Sequence, residues 1–283
     1  MTERHRLRSV LWLAYMNGIV PMRTQPLYLL SILASPLSFL FFVTVASGGT
    51  LFLYGIAGGM LLTVLSVGTS LQTDMSHYRT DLKFQDVIVA SPVEAPVYVV
   101  GIALSELIYS LPGIAVFIAL GAWEAPVALV GAVTIFAVLL MVWALATALG
   151  FTLATFFADV RETFVFSSLV SLGLTVLPPV YYPISAIPAS VRWLAYLSPT
   201  TYAAMLMQGA FGLQHLTFSS QVIDWAVLIL SSLAPLSIAA LEGIAAPARE
   251  CRSRHGCGAG CKPLSRGLPR ALRRARRCRR GSP

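Results

Sequence analysis

Six long apolar stretches, separated by short polar or Gly- and Pro-containing breaks, dominate residues 27–246 of the chain. A helix needs about 20 apolar residues to cross roughly 30 Å of hydrocarbon at 1.5 Å per residue. Continuous runs of this kind lack the alternation of a transmembrane β-strand, so each is predicted to be a helix. The six predicted spans cover residues 27–45, 51–71, 97–120, 127–156, 164–181 and 222–246.

A shorter amphipathic pattern precedes the first span. Its apolar residues recur at helical spacing, at Leu7, Val10, Leu11 and Ala14. This pattern predicts a helix over residues 4–18 that lies along the membrane surface. Pro21 and Pro26 are expected to end this helix and turn the chain into the membrane, so residues 1–26 form an interface segment.

The connection before the last predicted span, residues 178–221, is long and still rich in Leu, Ala, Tyr and Met. Ser198 followed by Pro199 is typical of a helix start and predicts a short helix over residues 199–211. A second short helix is predicted over residues 189–197. Neither is long enough to cross a bilayer, which favours a re-entrant or interfacial helical hairpin. The alternative is an external amphipathic cap without a functional role.

A second amphipathic pattern lies in the loop of residues 73–92. Its apolar residues share one helical face and its charged residues the opposite face, with Phe84, Val87 and Ile88 against Lys83 and Asp86. Ser91 and Pro92 end this short helix before the next span. The pattern is typical of a docking surface for a soluble partner, and a solvated connector that touches nothing is the alternative.

Composition and charge agree with a membrane protein and set its orientation. The chain is 57% hydrophobic and only 11% charged, with a mean hydropathy of +0.76, whereas about a quarter of a soluble domain is charged. Of its 20 Lys and Arg residues, only Arg192 falls on one predicted side and 19 fall on the other. Basic residues mark the cytoplasmic side, so we expect a multi-pass protein of the cell membrane with both termini in the cytoplasm.

Residues 247–283 differ sharply in composition from the rest. This segment holds all four cysteines and 12 of the Lys and Arg residues. Its low-complexity composition predicts a disordered basic tail. Disulfides are not expected in the reducing cytoplasm, and the cysteine spacing does not match a zinc site.

Motifs for catalysis and for nucleotide binding are missing from the sequence. The two lysines, Lys83 and Lys262, do not follow a glycine, which excludes a phosphate-binding loop of the G-x-x-x-x-G-K type. No H-E-x-x-H or G-x-S-x-G motif occurs. We therefore expect no enzyme activity, cofactor or metal. Glu106, inside the third predicted span, either lines a polar cleft or is a hydrogen-bonded structural residue.

Taken together, these features resemble the ABC-2 type permease family, the membrane part of type-2 ABC exporters. The resemblance covers about residues 4–246 and rests on two stretches. The first comprises residues 84–92 with Tyr98 and Gly101. The second comprises Pro179-Val180-Tyr181-Tyr182-Pro183, Ile187-Pro188, Trp193-Leu194, Leu197-Ser198-Pro199-Thr200 and Tyr202. The tail departs from the family, which usually ends in a short basic stub.

The resemblance implies a dimer of permease subunits, pairing with a second copy or a homologue, in which each subunit contacts a separate ABC ATPase subunit. The ATPase-coupling surface would comprise Asp81, Lys83, Phe84, Asp86, Val87 and Ile88. The outer gate would comprise Tyr181, Tyr182, Pro183, Pro188, Trp193, Pro199 and Tyr202. Membrane lipid is a further expected partner, specific nucleic acid is not, and the transported substrate is not identified by the sequence.

Two other functions are compatible with parts of the sequence. A secondary transporter needs intramembrane charges or broken helices in corresponding halves, and Glu106 has no obvious mate. A membrane-anchored binder of nucleic acid or anionic lipid would depend wholly on the Arg-rich tail. Deletion of residues 249–283 separates the second case from an exporter, because an exporter should keep transport. An intramembrane enzyme lacks the required nucleophile or metal ligands.

Overall fold

The computed structural model describes residues 3–24, 26–80, 95–156, 160–176 and 178–233, and the following account concerns these residues. They belong to one compact unit, Met1–Leu236. Regular structure in these ranges is helical, without a β-strand, so the predicted all-α class is confirmed. The end of the sixth predicted span and the predicted tail, residues 247–283, lie outside the described residues.

The N-terminal segment is helical almost throughout. Helix α1 (Glu3–Ala14) continues into a π-helical turn (Tyr15–Ile19) and then α2 (Val20–Thr24). Pro21 was expected to end the helix, and this expectation is wrong. The π-helical turn places Pro21 in the first turn of α2, where the missing N–H of proline costs little.

Three helices contain stretches that are long and apolar enough to cross a membrane. These are α4 (Phe52–Thr80), α5 (Ala95–Glu124) and α6 (Leu129–Phe156), and their apolar stretches are Phe52–Gln72, Val97–Glu124 and Leu129–Ala154. The other three predicted spans coincide with shorter apolar stretches. They lie in α3 (Pro26–Ala46), α7 (Val160–Val176) and α10 (Phe218–Leu233), over Ile32–Ala46, Phe164–Thr175 and Phe218–Leu233.

Two short helices lie between α7 and α10. A 3-10 turn (Ile184–Ala186) is followed by α8 (Arg192–Tyr196) and α9 (Pro199–Ala210). Helix α8 is shorter than the helix expected over residues 189–197, because residues 188–191 form a turn. Beyond the end of α9, Gly212 has a φ of 72°, a left-handed conformation that glycine adopts without strain.

Helix α4 occupies the centre of the bundle and packs against α3, α5, α6, α7 and α9. Within its apolar stretch Phe52–Gln72, 78% of the most apolar part is buried, compared with 28% for Leu129–Ala154 of α6. Four glycines let neighbours approach α4 closely. A Cβ on Gly55 would meet Leu40 of α3 at 2.6 Å, and a Cβ on Gly59 would meet Phe117 of α5 at 2.2 Å. A Cβ on Gly68 would meet Cβ of Ala146 of α6 at 2.5 Å, and Gly58 faces the segment that follows α7.

Helix α1 packs against α5. A Cβ on Gly101 of α5 would lie 2.8 Å from Cβ of Leu13, so the absence of a side chain lets the two helices meet. The apolar face predicted for α1 is only partly buried by this contact. Ala14 is buried, whereas Leu7 and Leu11 are 63% and 62% exposed. Exposed leucines beside arginines are typical of a helix that lies in a membrane interface.

Candidate functional site

The predicted ATPase-coupling surface lies outside the described residues. It comprises Asp81, Lys83, Phe84, Asp86, Val87 and Ile88, and all six belong to the gap between residue 80 and residue 95. The predicted outer gate, in contrast, lies wholly within the described residues. Its geometry can therefore be built up from side-chain and backbone contacts.

The centre of the predicted gate is the non-helical segment of residues 178–183, which inserts its buried Tyr181 between α3 and α4. The ring of Tyr181 stacks on that of Phe39, with centroids 5.5 Å apart and an angle of 19° between the planes. On the other side, a Cβ on Gly58 would lie 2.7 Å from Tyr181 Cδ1 and 2.8 Å from the Val180 carbonyl oxygen. Only glycine at position 58 leaves room for this segment without displacement of backbone.

A buried amide on α9 holds the same segment in place. Gln208 is 1% exposed, and its Nε2 donates hydrogen bonds to the carbonyl oxygens of Pro179, at 3.0 Å, and Tyr182, at 3.3 Å. Its Oε1 accepts a hydrogen bond from Gln214 Nε2 at 2.8 Å. Both ends of the amide are thus satisfied in apolar surroundings. A polar group in this condition favours one arrangement of the chain strongly, because breaking it exposes unpaired groups.

Threonines at the start of α9 connect this helix to α7 and α8. Thr200 Oγ1 donates to the Leu174 carbonyl oxygen of α7 at 2.7 Å, and Thr201 Oγ1 donates to the Ala195 carbonyl oxygen of α8. Ser198 does not cap α9 as expected, because its Oγ pairs with Thr200 Oγ1 at 2.7 Å. These bonds join α7, α8 and α9 into one connected structure.

The seven predicted gate residues occupy different environments. Tyr181 is buried, while Tyr182, Pro183, Pro199 and Tyr202 are partly buried and Pro188 and Trp193 are exposed. Tyr182 and Pro183 continue the segment that Gln208 holds. Tyr202 donates its hydroxyl to the Tyr196 carbonyl oxygen at 3.1 Å, and the two rings lie 6.2 Å apart. Five of the seven are thus buried or partly buried, whereas Pro188 and Trp193 lie on the surface.

Glu106, the predicted intramembrane polar residue, lies in the N-terminal half of α5 and is 3% exposed. It is engaged with neighbouring groups. One turn away, Trp143 Nε1 of α6 donates to the Ala103 carbonyl oxygen at 3.0 Å, which ties α6 to the same stretch of α5. In the ranges that the structure covers, His, Cys, Asp and Glu form no group able to hold a metal ion.

Gly58 and Gln208 contact the segment of residues 179–182 in the predicted gate, although the sequence did not single them out. Gly58 belongs to a Gly-Gly pair in an apolar span, and Gln208 is a lone amide in a short helix. Each gains its role from a segment more than 25 residues away. The sequence signal that could have identified Gln208 is an amide among apolar residues, since such a group needs hydrogen-bond partners when it is buried.

Comparison with known protein families gives one match. The family described as ABC-2 type transporter matches residues 10–211, which run from α1 to the residue that caps α9. The matched range includes the three helices with membrane-crossing stretches and the whole candidate gate, while α10 follows it. A comparison with curated proteins finds no match.

Proposed function

Because the chain belongs to the ABC-2 type transporter family and is a multi-pass membrane protein, we propose that it is the permease subunit of an ABC exporter. In this proposal the subunit forms the transmembrane pathway as a dimer, and a separate ATPase subunit drives it. The main observation behind this proposal is the family match over residues 10–211, a range that includes α4, α5 and α6.

The proposed topology has six spans with both termini in the cytoplasm. Its support is the coincidence of six apolar helical stretches with the six sequence-predicted spans. The distribution of basic residues supplies the direction, because 19 of 20 would face the cytoplasm. With that orientation, the segment at Tyr181 and helices α8 and α9 stand at the outer end of the pathway.

In the proposed mechanism, ATP-driven closure of two ATPase subunits shifts the permease helices and opens the outer gate. The gate is closed by Tyr181, seated between Phe39 of α3 and Gly58 of α4. Gln208 keeps that segment closed by binding the carbonyl oxygens of Pro179 and Tyr182. Opening requires these contacts to separate. Their strength therefore sets the free-energy cost of opening, which ATP binding must supply.

The proposed ATPase-coupling surface includes Phe84 and Val87 on one amphipathic face. A carboxylate at either position would place a charge in an apolar protein contact, and we expect Phe84→Asp or Val87→Asp to abolish coupled ATPase activity. The measurement is ATP hydrolysis by the permease reconstituted in vesicles with its cognate ATPase. Phe218→Asp is the matched control, since Phe218 is 81% exposed at the start of α10. In the proposed topology this position is on the outer side of the membrane, away from the coupling surface.

The control should insert into the membrane and stimulate the ATPase as the unmodified protein does. Membrane insertion of the two loop variants must be checked by extraction and gel filtration, so that loss of coupling is not confused with loss of protein. Normal ATPase stimulation by both loop variants would remove the coupling assignment. Transport that proceeds without any ATPase subunit would instead support a secondary transporter.

A further inference from the structure

The hydroxyl group of Tyr181 is buried without a hydrogen-bond partner among the described residues. The side chain is 7% exposed, and its ring lies between Phe39 and Gly58. A buried tyrosine hydroxyl usually finds an acceptor. Partly buried Tyr54 does so, since its hydroxyl donates to the Leu213 carbonyl oxygen at 3.3 Å. The hydroxyl of Tyr181 is an exception, and its position needs a physical explanation.

The packing of Tyr181 does not require this hydroxyl. The ring itself makes the contacts, because it stacks on Phe39 with centroids 5.5 Å apart and its Cδ1 and Cε1 lie 2.7 and 2.9 Å from where a Cβ on Gly58 would be. A phenylalanine ring would make the same contacts without burying a donor. The hydroxyl therefore destabilises the seated position, with Tyr181 between Phe39 and Gly58, and adds no hydrogen bond in return.

The segment of residues 178–183 is separated from the protein surface by only a short length of chain. Tyr182 and Pro183 are partly buried, and Ser185 and Ala186 are exposed. In the proposed topology this surface is on the outer side of the membrane, so a displacement of the segment brings the Tyr181 hydroxyl to water. There the hydroxyl regains hydrogen bonds, and its unfavourable contribution is confined to the seated position.

We propose that the Tyr181 hydroxyl is a release element, which favours displacement of the segment of residues 178–183 by destabilising its seated position. Gln208 acts in the opposite direction through its hydrogen bonds to the Pro179 and Tyr182 carbonyl oxygens. The occupancy of the seated position is thus set by the difference between two opposing contributions. The role of this release in export rests on the proposed function, whereas the equilibrium of the segment does not.

The experiment measures how often the segment leaves the seated position, from the rate at which a water-soluble maleimide labels Val180→Cys in the full-length protein in nanodiscs. Val180 is 1% exposed and its carbonyl oxygen faces Gly58, so a thiol at position 180 is protected while the segment is seated. At reagent concentrations where the rate is proportional to concentration, labelling follows the displaced fraction. Serine replaces the four natural cysteines in every variant, at Cys251, Cys257, Cys261 and Cys278.

Tyr181→Phe should slow labelling at position 180 about tenfold, and at least about threefold, because the seated position no longer contains an unpaired donor. A tenfold change corresponds to about 1.4 kcal/mol. Tyr196→Phe is the matched control, since it removes the same group from a tyrosine that is 42% exposed. It should change the rate by less than about twofold, as for most surface substitutions.

A second comparison tests whether the release is local. With Tyr181 present, Val180→Cys should be labelled at least about tenfold faster than Val142→Cys, because Val142 of α6 is fully buried and needs a larger opening of the bundle. Equal labelling at the two positions would show that the segment leaves only when the bundle unfolds, and would overturn the proposal. Slowing of less than about threefold by Tyr181→Phe, or equal slowing by Tyr196→Phe, would also overturn it.

No ATPase subunit and no transported substrate take part in this measurement, so it is independent of the coupling test. If Phe84→Asp leaves ATPase stimulation intact and Tyr181→Phe still slows labelling, the exporter proposal fails and the release element stands. If coupling behaves as expected and Tyr181→Phe leaves labelling unchanged, the release element fails and the exporter proposal stands.

Discussion

Gln208 on α9 and Asp224 on α10 are both buried polar residues, and their surroundings differ in one decisive respect. Gln208 uses both atoms of its amide in three hydrogen bonds. Oδ2 of Asp224, by contrast, is buried without a hydrogen-bond partner among the described residues. A satisfied amide stabilises one arrangement, whereas an unpaired buried carboxyl group destabilises the fold while it is charged. Burial alone therefore does not identify a polar residue that stabilises the fold, and the hydrogen-bond partners do.

The largest expected effect comes from removing the satisfied group. Gln208→Leu keeps an apolar side chain of similar volume and leaves the carbonyl oxygens of Pro179 and Tyr182 without a donor. We expect it to lower the free energy of unfolding by about 2–3 kcal/mol, since each orphaned buried group costs about 1–3 kcal/mol. Denaturant unfolding of the purified protein measures this change.

Gln221→Leu provides the matched control, because Gln221 is exposed near the start of α10. It should change the free energy of unfolding by no more than about 0.5 kcal/mol, as for most surface substitutions. A stability of Gln208→Leu equal to that of this control would show that the amide does not hold the Tyr181 segment, and the contrast with Asp224 would lose its meaning.

A smaller effect is expected from crowding the segment that Gln208 holds. The added Cβ of Gly58→Ala would meet the Val180 carbonyl oxygen at 2.8 Å, and a backbone atom cannot move aside as a flexible side chain can. We expect a loss of about 1–2 kcal/mol, typical of overpacking. The same unfolding measurement applies, and a raised leak of small solutes from reconstituted vesicles should accompany it.

Gly121→Ala is the control for this substitution. Its nearest contact would be the Phe211 ring edge at 3.3 Å, and alanine also favours helix over glycine by up to about 1 kcal/mol. The two terms oppose each other, so stability should stay near that of the unmodified protein. Equal losses at positions 58 and 121 would mean that the Tyr181 segment tolerates displacement and is not tightly seated.

The smallest effect should come from Asp224, and its sign should be opposite. Asp224→Asn removes a charge from a carboxyl group whose Oδ2 has no hydrogen-bond partner among the described residues, so the free energy of unfolding should be unchanged within about 0.5 kcal/mol or should rise. Denaturant unfolding of the purified variant measures this. A destabilisation as large as that of Gln208→Leu would assign Asp224 a structural role and would contradict the comparison.

The helices themselves could be predicted from the sequence because apolar runs and helix-start signals act locally. The apolar runs placed α4, α5 and α6, and Pro199 placed the start of α9. The π-helical turn that carries the chain past Pro21 could not be predicted, since it depends on how the N-terminal segment packs against α5. Local signals predict where helices lie, and tertiary contacts decide how they continue.

The packing around the predicted gate could be predicted from the sequence only in part, for a physical reason. The aromatic and proline residues of the hairpin are visible as a pattern, but Gly58 and Gln208 act on residues far along the chain. Their roles follow from which helices become neighbours, and one sequence does not contain that information. The burial of Asp224 could not be predicted, because this residue stands near the end of an apolar run, where a carboxylate normally reaches water.

The continuity of α4 has a mechanical consequence. Gly58, which receives Tyr181, and Thr80, which directly precedes the proposed coupling segment, belong to the same helix. The roughly 22 residue steps between them span about 33 Å at 1.5 Å per residue, close to the full thickness of the hydrocarbon layer. A tilt of this rod about its middle would displace both ends at once in opposite directions. Force applied at the Thr80 end would then reach the site that receives Tyr181 without any relay through side chains.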